Sequence, residues 1–477
     1  MAFKIARIST ARQDASRGGN AIASVYRASF TQVLIGCLYS IALPNVLIFK
    51  LHMSPVFLGI LGAIGAFAYI AGPIVFKKWW SGAGARRSLI NIVILDSAMM
   101  GITIAFLSPV ILIISSMLEG LLASMYWTNM NALVSGWQAC VPRSKQSAIF
   151  KKYGMSWNLG GIAGEIGGFL VILAGLDDYI VMVISLGLEA VHFSFLLGIV
   201  SPDLGIKNAK MPGTRDNSRI ANKRYSHAIR YMFTLIVLMI MGELCLQVIK
   251  STYDFLFPFI VLKNEDSSGV VYAMSLFQQI AQMGGIYVSS KLDERGQYRG
   301  AVVAIAMTLV ITSLVLVAPA MLVISSALII VGFAGGLIYG FSAQIMLRCN
   351  KGITMRFASL YETFSGIGEG IMVLATGFTS ETGYSTAFMV LEWYLAATLV
   401  VFVAVLTGIP RASKKIIKVA WLGHIMRGAV VLGQASIMGA YYPTPRAYSS
   451  ANMLALASRQ PPEPRQQLVL SPESMHL

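Results

Sequence analysis

The sequence predicts an all-α polytopic membrane protein with twelve transmembrane helices in two pseudo-symmetric six-helix bundles. Three observations predict it. The 477 residues are 56% hydrophobic and only 12% charged, about half of the roughly 25% charged residues usual in soluble proteins. Twelve apolar segments each approach the ~20 residues needed to cross a bilayer core. Landmarks of the first six segments recur, in the same order, in the second six.

Residues 1–27 are polar and basic, with Lys4, Arg7, Arg12, Arg17 and Arg27. A cleaved signal would place a short apolar run nearer the start, so this stretch reads as a cytoplasmic tail. The first bundle covers residues 28–200, with spans at 28–49, 56–76, 88–107, 110–134, 153–173 and 179–200. A cytoplasmic linker follows over 201–230, carrying Lys207, Lys210, Arg215, Arg219, Lys223 and Arg224. The second bundle covers 231–410, with spans at 231–262, 269–289, 300–317, 321–346, 357–378 and 384–406. The remaining 411–477 reads as a cytoplasmic tail. Residues 413–440 are apolar but interrupted by Lys414, Lys415, Lys418, His424, Arg427 and Gln434. That pattern predicts a helix lying on the membrane surface rather than a thirteenth span. The end, from Gln460 onward, has the composition of a disordered segment.

The net charge of +16 suggests nucleic acid at first sight, but its distribution points to topology. Alternate loops concentrate the positive residues: Lys77, Lys78, Arg86 and Arg87; Arg143, Lys145, Lys151 and Lys152; Lys291, Arg295 and Arg299; Arg348, Lys351 and Arg356; and Arg411, Lys414, Lys415 and Lys418. The opposite loops hold Lys50 and Lys263 beside Asp177, Asp178, Glu265, Asp266 and Glu381. The positive-inside rule then puts both termini in the cytoplasm of a multi-pass plasma-membrane protein. Nucleic acid is not an expected partner. The four cysteines, Cys37, Cys140, Cys245 and Cys349, have no metal-ligand spacing, so neither a disulfide nor a metal is expected, nor any cofactor.

The repeat shows in pairs of landmarks at nearly constant spacing. Pro44 matches Pro258, Lys77 matches Lys291, and Pro109 with its Ile-Ser-Ser matches Pro319 with the same ending. Gly164-Glu165 matches Gly368-Glu369, and Gly198-Ile199 matches Gly408-Ile409. Parallel six-helix repeats are a transporter architecture with the solute site between the halves. Pro44 and Pro258 should bend spans 1 and 7 near their ends.

Two loop sequences carry a further signal. After span 8 comes Lys291-Leu-Asp293-Glu-Arg295-Gly296-Gln-Tyr-Arg299, and after span 2 the degenerate Lys77 to Gly84-Ala-Arg86-Arg87, without an aspartate. With six-plus-six spans and the central linker, these make the chain resemble major facilitator superfamily transporters over about residues 28–410. The resemblance implies that Asp293, Arg295, Gly296 and Arg299, with Arg86 and Arg87, form a charge latch for one conformation. Span 5 carries Gly160-Gly161-Ile-Ala-Gly164-Glu165-Ile-Gly167-Gly168, similar to the family's antiporter motif but with Glu165 where that motif has proline. The family's span 4 arginine is not matched; Ser116 and Glu119-Gly120 stand in that region.

Asp96, Glu119, Glu165, Glu189, Glu243 and Glu369 fall in mid-span. An ionised group there costs at least about 2.5–3.5 kcal/mol, so such residues are rare and usually functional. Neutral when occluded and ionised when open to water, a carboxyl can carry a proton. The resemblance puts spans 1, 4, 7 and 10 around the cavity, which implies that Glu119 and Glu243 face it. It puts Glu165 and Glu369 at the seam of the halves, and Asp96 and Glu189 at peripheral or scaffolding positions. Glu189 and His192, three residues apart, are expected to hydrogen-bond to each other. Tyr126, Trp127 and Asn129, with Asn131, offer groups for an organic substrate on span 4, as do Tyr253 and Asp254 on span 7. Lys250 is the main mid-span cation, too few for an anion site.

These observations predict a secondary active transporter of a small organic solute, cationic or neutral, proton-coupled and monomeric, working by alternating access. Lipids and protons are the other expected partners, and export is slightly favoured over import of a nutrient. A non-transporting sensor or scaffold is the main alternative. ATP-driven pumping lacks a Gly-Lys-Ser/Thr phosphate loop. An intramembrane enzyme lacks its motif: His192 is the one histidine within a span, with no Gly-x-Ser-x-Gly or His-x-x-Glu-His sequence beside it.

Overall fold

The computed structural model describes residues 2–75, 84–139, 141, 143–200, 218–349 and 356–408. These residues form twelve helices and no strand. They are α1 (Ala2–Asn45), α2 (Pro55–Val75), α3 (Ala85–Ala105), α4 (Pro109–Ala139), α5 (Arg143–Leu173) and α6 (Asp178–Leu197). The second set is α7 (Ser218–Lys263), α8 (Ser268–Lys291), α9 (Glu294–Val317), α10 (Met321–Cys349), α11 (Arg356–Ser380) and α12 (Tyr384–Gly408). Each contains one of the expected spans. The expected tail over 411–477, its surface helix and most of the linker lie outside the described residues. The expected N-terminal tail is helical in its backbone and continuous with span 1.

Ten helices are long and apolar enough to cross a membrane among the described residues. The other two, α8 and α11, are more polar. Buried Gln278, Gln279 and Gln282 lie on α8, and Glu362 and Glu369 on α11. The reason is position. Helix α11 packs against α2 and α7, and α8 against α5 and α10, so protein side chains, not lipid, meet their polar groups.

The repeat extends to packing. In the first half, α1 packs on α5 and α6, α2 on α4, and α3 on α4 and α6. In the second half, α7 packs on α11 and α12, α8 on α10, and α9 on α10 and α12. The seams between the halves, α2 with α11 and α5 with α8, exchange places under the same repeat.

Glycines permit these approaches, as small residues do where membrane helices pack. The span 5 motif faces two ways: Gly160 and Gly164 press on the carbonyls of Phe30 and Leu34 in α1, while Gly161 and Gly168 meet Gln279 and Tyr272 in α8. Across the other seam, a Cβ on Gly59 would lie 2.9 Å from Gly377 Cα and 3.2 Å from the Val373 carbonyl oxygen.

The two prolines act differently. Proline removes an amide donor and crowds the preceding turn. After Pro44 the helix widens into a π segment, Val46–Lys50, whereas α7 continues as α-helix through Pro258. The expected matched bends are thus an asymmetric pair.

Helix direction alternates, so the loops at 51–54, 174–177 and 264–267 and their equivalents share one end, here the acidic-loop end. Lys50 Nζ donates to Asp177 Oδ2 there at 2.6 Å, joining α1 to α6. The hydrogen bond from Lys50 holds the Asp177 carboxyl below its ordinary range. This contribution is present above the unfolded carboxyl pKa and lost as pH falls through the folded value. Both side chains are about half exposed (47% and 49%), so it is worth no more than about 1 kcal/mol.

Gly59→Ala and Gly377→Ala are expected to destabilise the protein by about 1–3 kcal/mol through overpacking against backbone. Gly187→Ala, with nothing within 4 Å of its added Cβ, serves as the control. Thermal melting of the detergent-solubilised protein checks this; equal effects at all three sites would refute the close-approach argument.

Candidate functional site

A cavity of about 510 Å³ lies between the halves, walled by α1, α2, α3 and α4 on one side and α7 and α11 on the other. Each half contributes two carboxylates to its lining: Asp96 and Glu119 from the first, Asp254 and Glu369 from the second. Asp254 and Glu369 have solvent-accessible side chains although they lie on membrane-spanning helices packed against others. The cavity supplies that accessible surface.

The two walls hold their acids differently. Ser115 Oγ donates to Glu119 Oε1 at 2.6 Å and Tyr39 Oη donates to the same oxygen at 3.3 Å. Thr103 Oγ1 in turn donates to Ser115 Oγ at 2.5 Å. These contacts join α1, α3 and α4 around one carboxylate. On the opposite wall, Gln278 Nε2 of α8 donates to Asp254 Oδ1 at 2.9 Å.

The cavity has a polar floor and an apolar roof. Tyr69, which lines it, donates its hydroxyl hydrogen to Glu362 of α11. Asn131 Nδ2 also donates to Glu362, at 2.6 Å, and Tyr153 Oη donates to Asn131 Oδ1 at 3.2 Å. One buried carboxylate of the second half thereby accepts from α2 and α4 of the first. Nearby, Trp157 and Tyr339 meet edge-on across the halves at 5.2 Å. At the acidic-loop end, Leu47, Ile48, Leu58, Leu61, Leu112 and Phe259 form one buried apolar cluster joining α1, α2, α4 and α7. Asp178 reinforces that end. It accepts from Asn45 Nδ2 at 3.1 Å, and from Ser268 Oγ at 2.8 Å and Tyr272 Oη at 2.9 Å in the second half.

Of the sequence-derived pathway residues, Glu119, Glu369 and Asp254 reach the cavity wall. Glu165 lies behind it, 5% exposed. Glu243 is buried among second-half helices, accepting from Gln247 Nε2 at 2.8 Å and Ser342 Oγ at 3.5 Å. Tyr126, Trp127 and Asn129 sit farther along α4, below the cavity floor. Tyr126 donates to the Ala28 carbonyl at 3.2 Å and packs edge-on against Trp127 at 5.2 Å. Asn129 Nδ2 donates to the Met125 carbonyl of its own helix at 3.0 Å. Helices α1 and α6 close over this stretch of α4, so it serves the core of the first half. The expected Glu189–His192 bond does not form: His192 Nδ1 lies 2.6 Å from Thr31 Oγ1 instead.

Three residues carry more than their sequence positions implied. Asp96, expected at the periphery, lines the cavity. Asp178, expected as a loop acid, is 5% exposed at the seam, and Glu362, near the end of its span, is also 5% exposed there. Glu362 stands seven residues before Glu369, two helical turns along one face, and that spacing was the available signal.

In the loop motif, Asp293 accepts from Gly296 N at 2.7 Å and caps α9. Arg86, Arg87, Arg295 and Arg299 are exposed. The first copy from Lys77 to Ala83 lies mostly outside the described residues. Lys50 and Asp177 form an ion pair, and Cys37 and Cys245 are free.

Known proteins match this architecture. The fold is similar to the solved nucleoside transporter NupG, at 14% identity and a TM-score of 0.54, covering 81% of this chain and 99% of that one. It is likewise similar to the human organic anion transporter MFSD10 (TETRAN), at 12% identity and a TM-score of 0.57, with the same coverage. At such identities the likeness concerns the fold alone. No curated protein sequence matches the chain. The sequence model of the Major Facilitator Superfamily matches residues 28–373, most of the chain, and with twelve helices in duplicated halves around a central cavity the protein belongs to that superfamily of transporters.

Proposed function

We propose that the chain is a proton-coupled secondary transporter of a small organic cation or neutral solute, bound in the cavity between its halves, with export favoured. The observation that supports this most is the lining. Four carboxylates, two from each half, share a largely apolar wall with Tyr39 and Tyr69. Carboxylates at membrane depth attract cations and exchange protons when they alternate between water and occlusion. Aromatic faces add attraction for an organic cation. Binding that draws on both walls would bias the halves toward each other, and differential contacts of this kind let a ligand shift a conformational equilibrium.

In this reading the halves, 28–200 and 231–410, are the moving bodies, with both termini cytoplasmic. The Glu362 cluster closes the basic-loop, cytoplasmic end, and the Asp178 cluster closes the opposite end. Each breaks and reforms in turn. The loop motif contributes through Asp293, whose cap fixes the start of α9, while Arg86, Arg87, Arg295 and Arg299 are free to form the latch in another conformation.

Transport is tested in proteoliposomes loaded with a pH-sensitive dye and screened against organic cations, neutral sugars and organic anions. Proton movement with cations is expected, falling at least about ten-fold in Glu119→Gln and Glu369→Gln. Movement with anions alone would overturn the reading. Silence across the panel would favour the sensor alternative.

The closures are tested by spin-label distances between Lys152→Cys on α5 and Lys291→Cys on α8, with the native cysteines replaced by serine. Glu362→Ala removes the hydrogen bonds from Tyr69 and Asn131 across the seam, each worth about 0.5–1.5 kcal/mol. The longer-distance population is expected to grow by roughly ten-fold or more. Asp178→Ala should move the distribution the opposite way. No change in either variant would show that these clusters do not gate the cavity.

A further inference from the structure

Lys250 is set in the middle of α7, the one described lysine or arginine so placed. Four side chains lie within its electrostatic range: Asp254 one turn on, Cys37 on α1, Glu165 on α5 and Glu369 on α11. It closes an ion pair with none of them, since the described pair is Lys50–Asp177. One ammonium thus stands among three carboxylates from three helices, interacting with all and joined to none.

The three acids are not equivalent. Asp254 and Glu369 open onto the cavity, and Gln278 fixes Asp254 in place. Glu165 stands outside the cavity lining, 5% exposed, and its Oε2 has no hydrogen-bond partner. It is also the repeat mate of Glu369, so the ammonium stands within electrostatic range of two equivalent carboxyl groups, one that lines the cavity and one that does not. Lysine's four-carbon stem lets its point charge move several ångströms without moving the helix. An unpartnered buried carboxylate oxygen is costly and offers a docking point for a mobile donor. A cation that enters the cavity and engages Asp254 and Glu369 repels the ammonium already balancing them.

We infer that Lys250 is a tethered competitor of the transported cation: in the empty site its ammonium balances Asp254 and Glu369, and an organic cation entering the cavity drives it back onto Glu165. The inference rests on the cation reading of the same cavity. It assigns Glu165 the role of receiving Lys250 and Lys250 that of setting affinity. It also accounts for a lysine set among these acids without requiring an anionic substrate.

The test is calorimetric titration of tetraphenylphosphonium into the purified full-length protein at fixed pH and salt. Lys250→Met is expected to tighten binding roughly ten-fold, the effect of removing a like charge several ångströms away. Lys250→Gln should do the same, and Lys250→Arg should stay near wild type; size exclusion and melting confirm that each variant is folded. Asp254→Asn should weaken binding. Glu165→Gln should also weaken it, because the ammonium has lost its alternative partner, yet Glu165→Gln should have no effect in a Lys250→Met background. That conditional effect separates the proposal from a purely structural role for either residue. Unchanged or weaker binding in both neutral Lys250 variants, with wild-type binding intact and lost in Asp254→Asn, would overturn the inference and leave the cation reading standing. Equal effects of Glu165→Gln with and without Lys250 would overturn it as well. Absence of binding in both wild type and Lys250→Met would overturn the cation reading and the inference with it.

Discussion

A carboxylate at membrane depth is tolerable where protein or a water-accessible cavity supplies its partners, and that constraint orders the interior of this transporter. Most of the acids fall into three settings; Glu165 and Glu189 stand apart, with buried oxygens that have no hydrogen-bond partner. Asp96, Glu119, Asp254 and Glu369 take the cavity wall. Asp178 and Glu362 take the seam, where each accepts hydrogen bonds from the opposite half. Glu243 and Glu392 stay inside the second half, where Gln247 and Ser313 donate to them. The most polar helices follow the same logic. Helices α8 and α11 carry buried glutamines and the buried Glu362, and stand where other helices, not lipid, receive them.

Duplication supplies the frame and asymmetry supplies the chemistry. The seams α2–α11 and α5–α8 are images of each other under the repeat, and Glu165 and Glu369 are mates at matching depth. Lys250 and Asp254 break the pattern: the corresponding stretch of α1 offers Gly36 and Ser40, which line the cavity without charge. The prolines break it too, with a π segment after Pro44 and an unbroken α-helix through Pro258. One wall of the cavity therefore carries its charge on the continuous α7 and on α11. The other carries it on α3 and α4, behind Tyr39 of a distorted α1.

Hydrophobic length made all twelve helices legible in the sequence, because crossing a bilayer is a one-dimensional demand. Glycine spacing made the close approaches of α5 legible, since a missing side chain has one obvious use between packed helices. Partner identity was less visible. Glu189 and His192 share a helix face, but His192 turns to Thr31, a choice that depends on the neighbouring helix. Tyr126 and Asn129 look like substrate groups until α1 and α6 close over them. Asp178 reads as a loop acid because burial at a helix start depends on Ser268 and Tyr272, some ninety positions away in sequence. Glu119 and Glu369 were identifiable because a mid-span charge is informative whatever surrounds it.

Tyr69 links the cavity to its closure. Its ring lines the cavity, and its hydroxyl donates to Glu362, the carboxylate that also gathers Asn131 and, through it, Tyr153. A solute resting against that ring touches the same side chain that holds α11 to α2. Separation of the halves at this end would strand a buried carboxylate that has lost both donors, and that penalty exceeds the net worth of the hydrogen bonds themselves. In the proposed cycle, closure is favoured wherever water cannot reach Glu362, opening requires that water replace Tyr69 and Asn131 together, and the gate is the hydration of one carboxyl group.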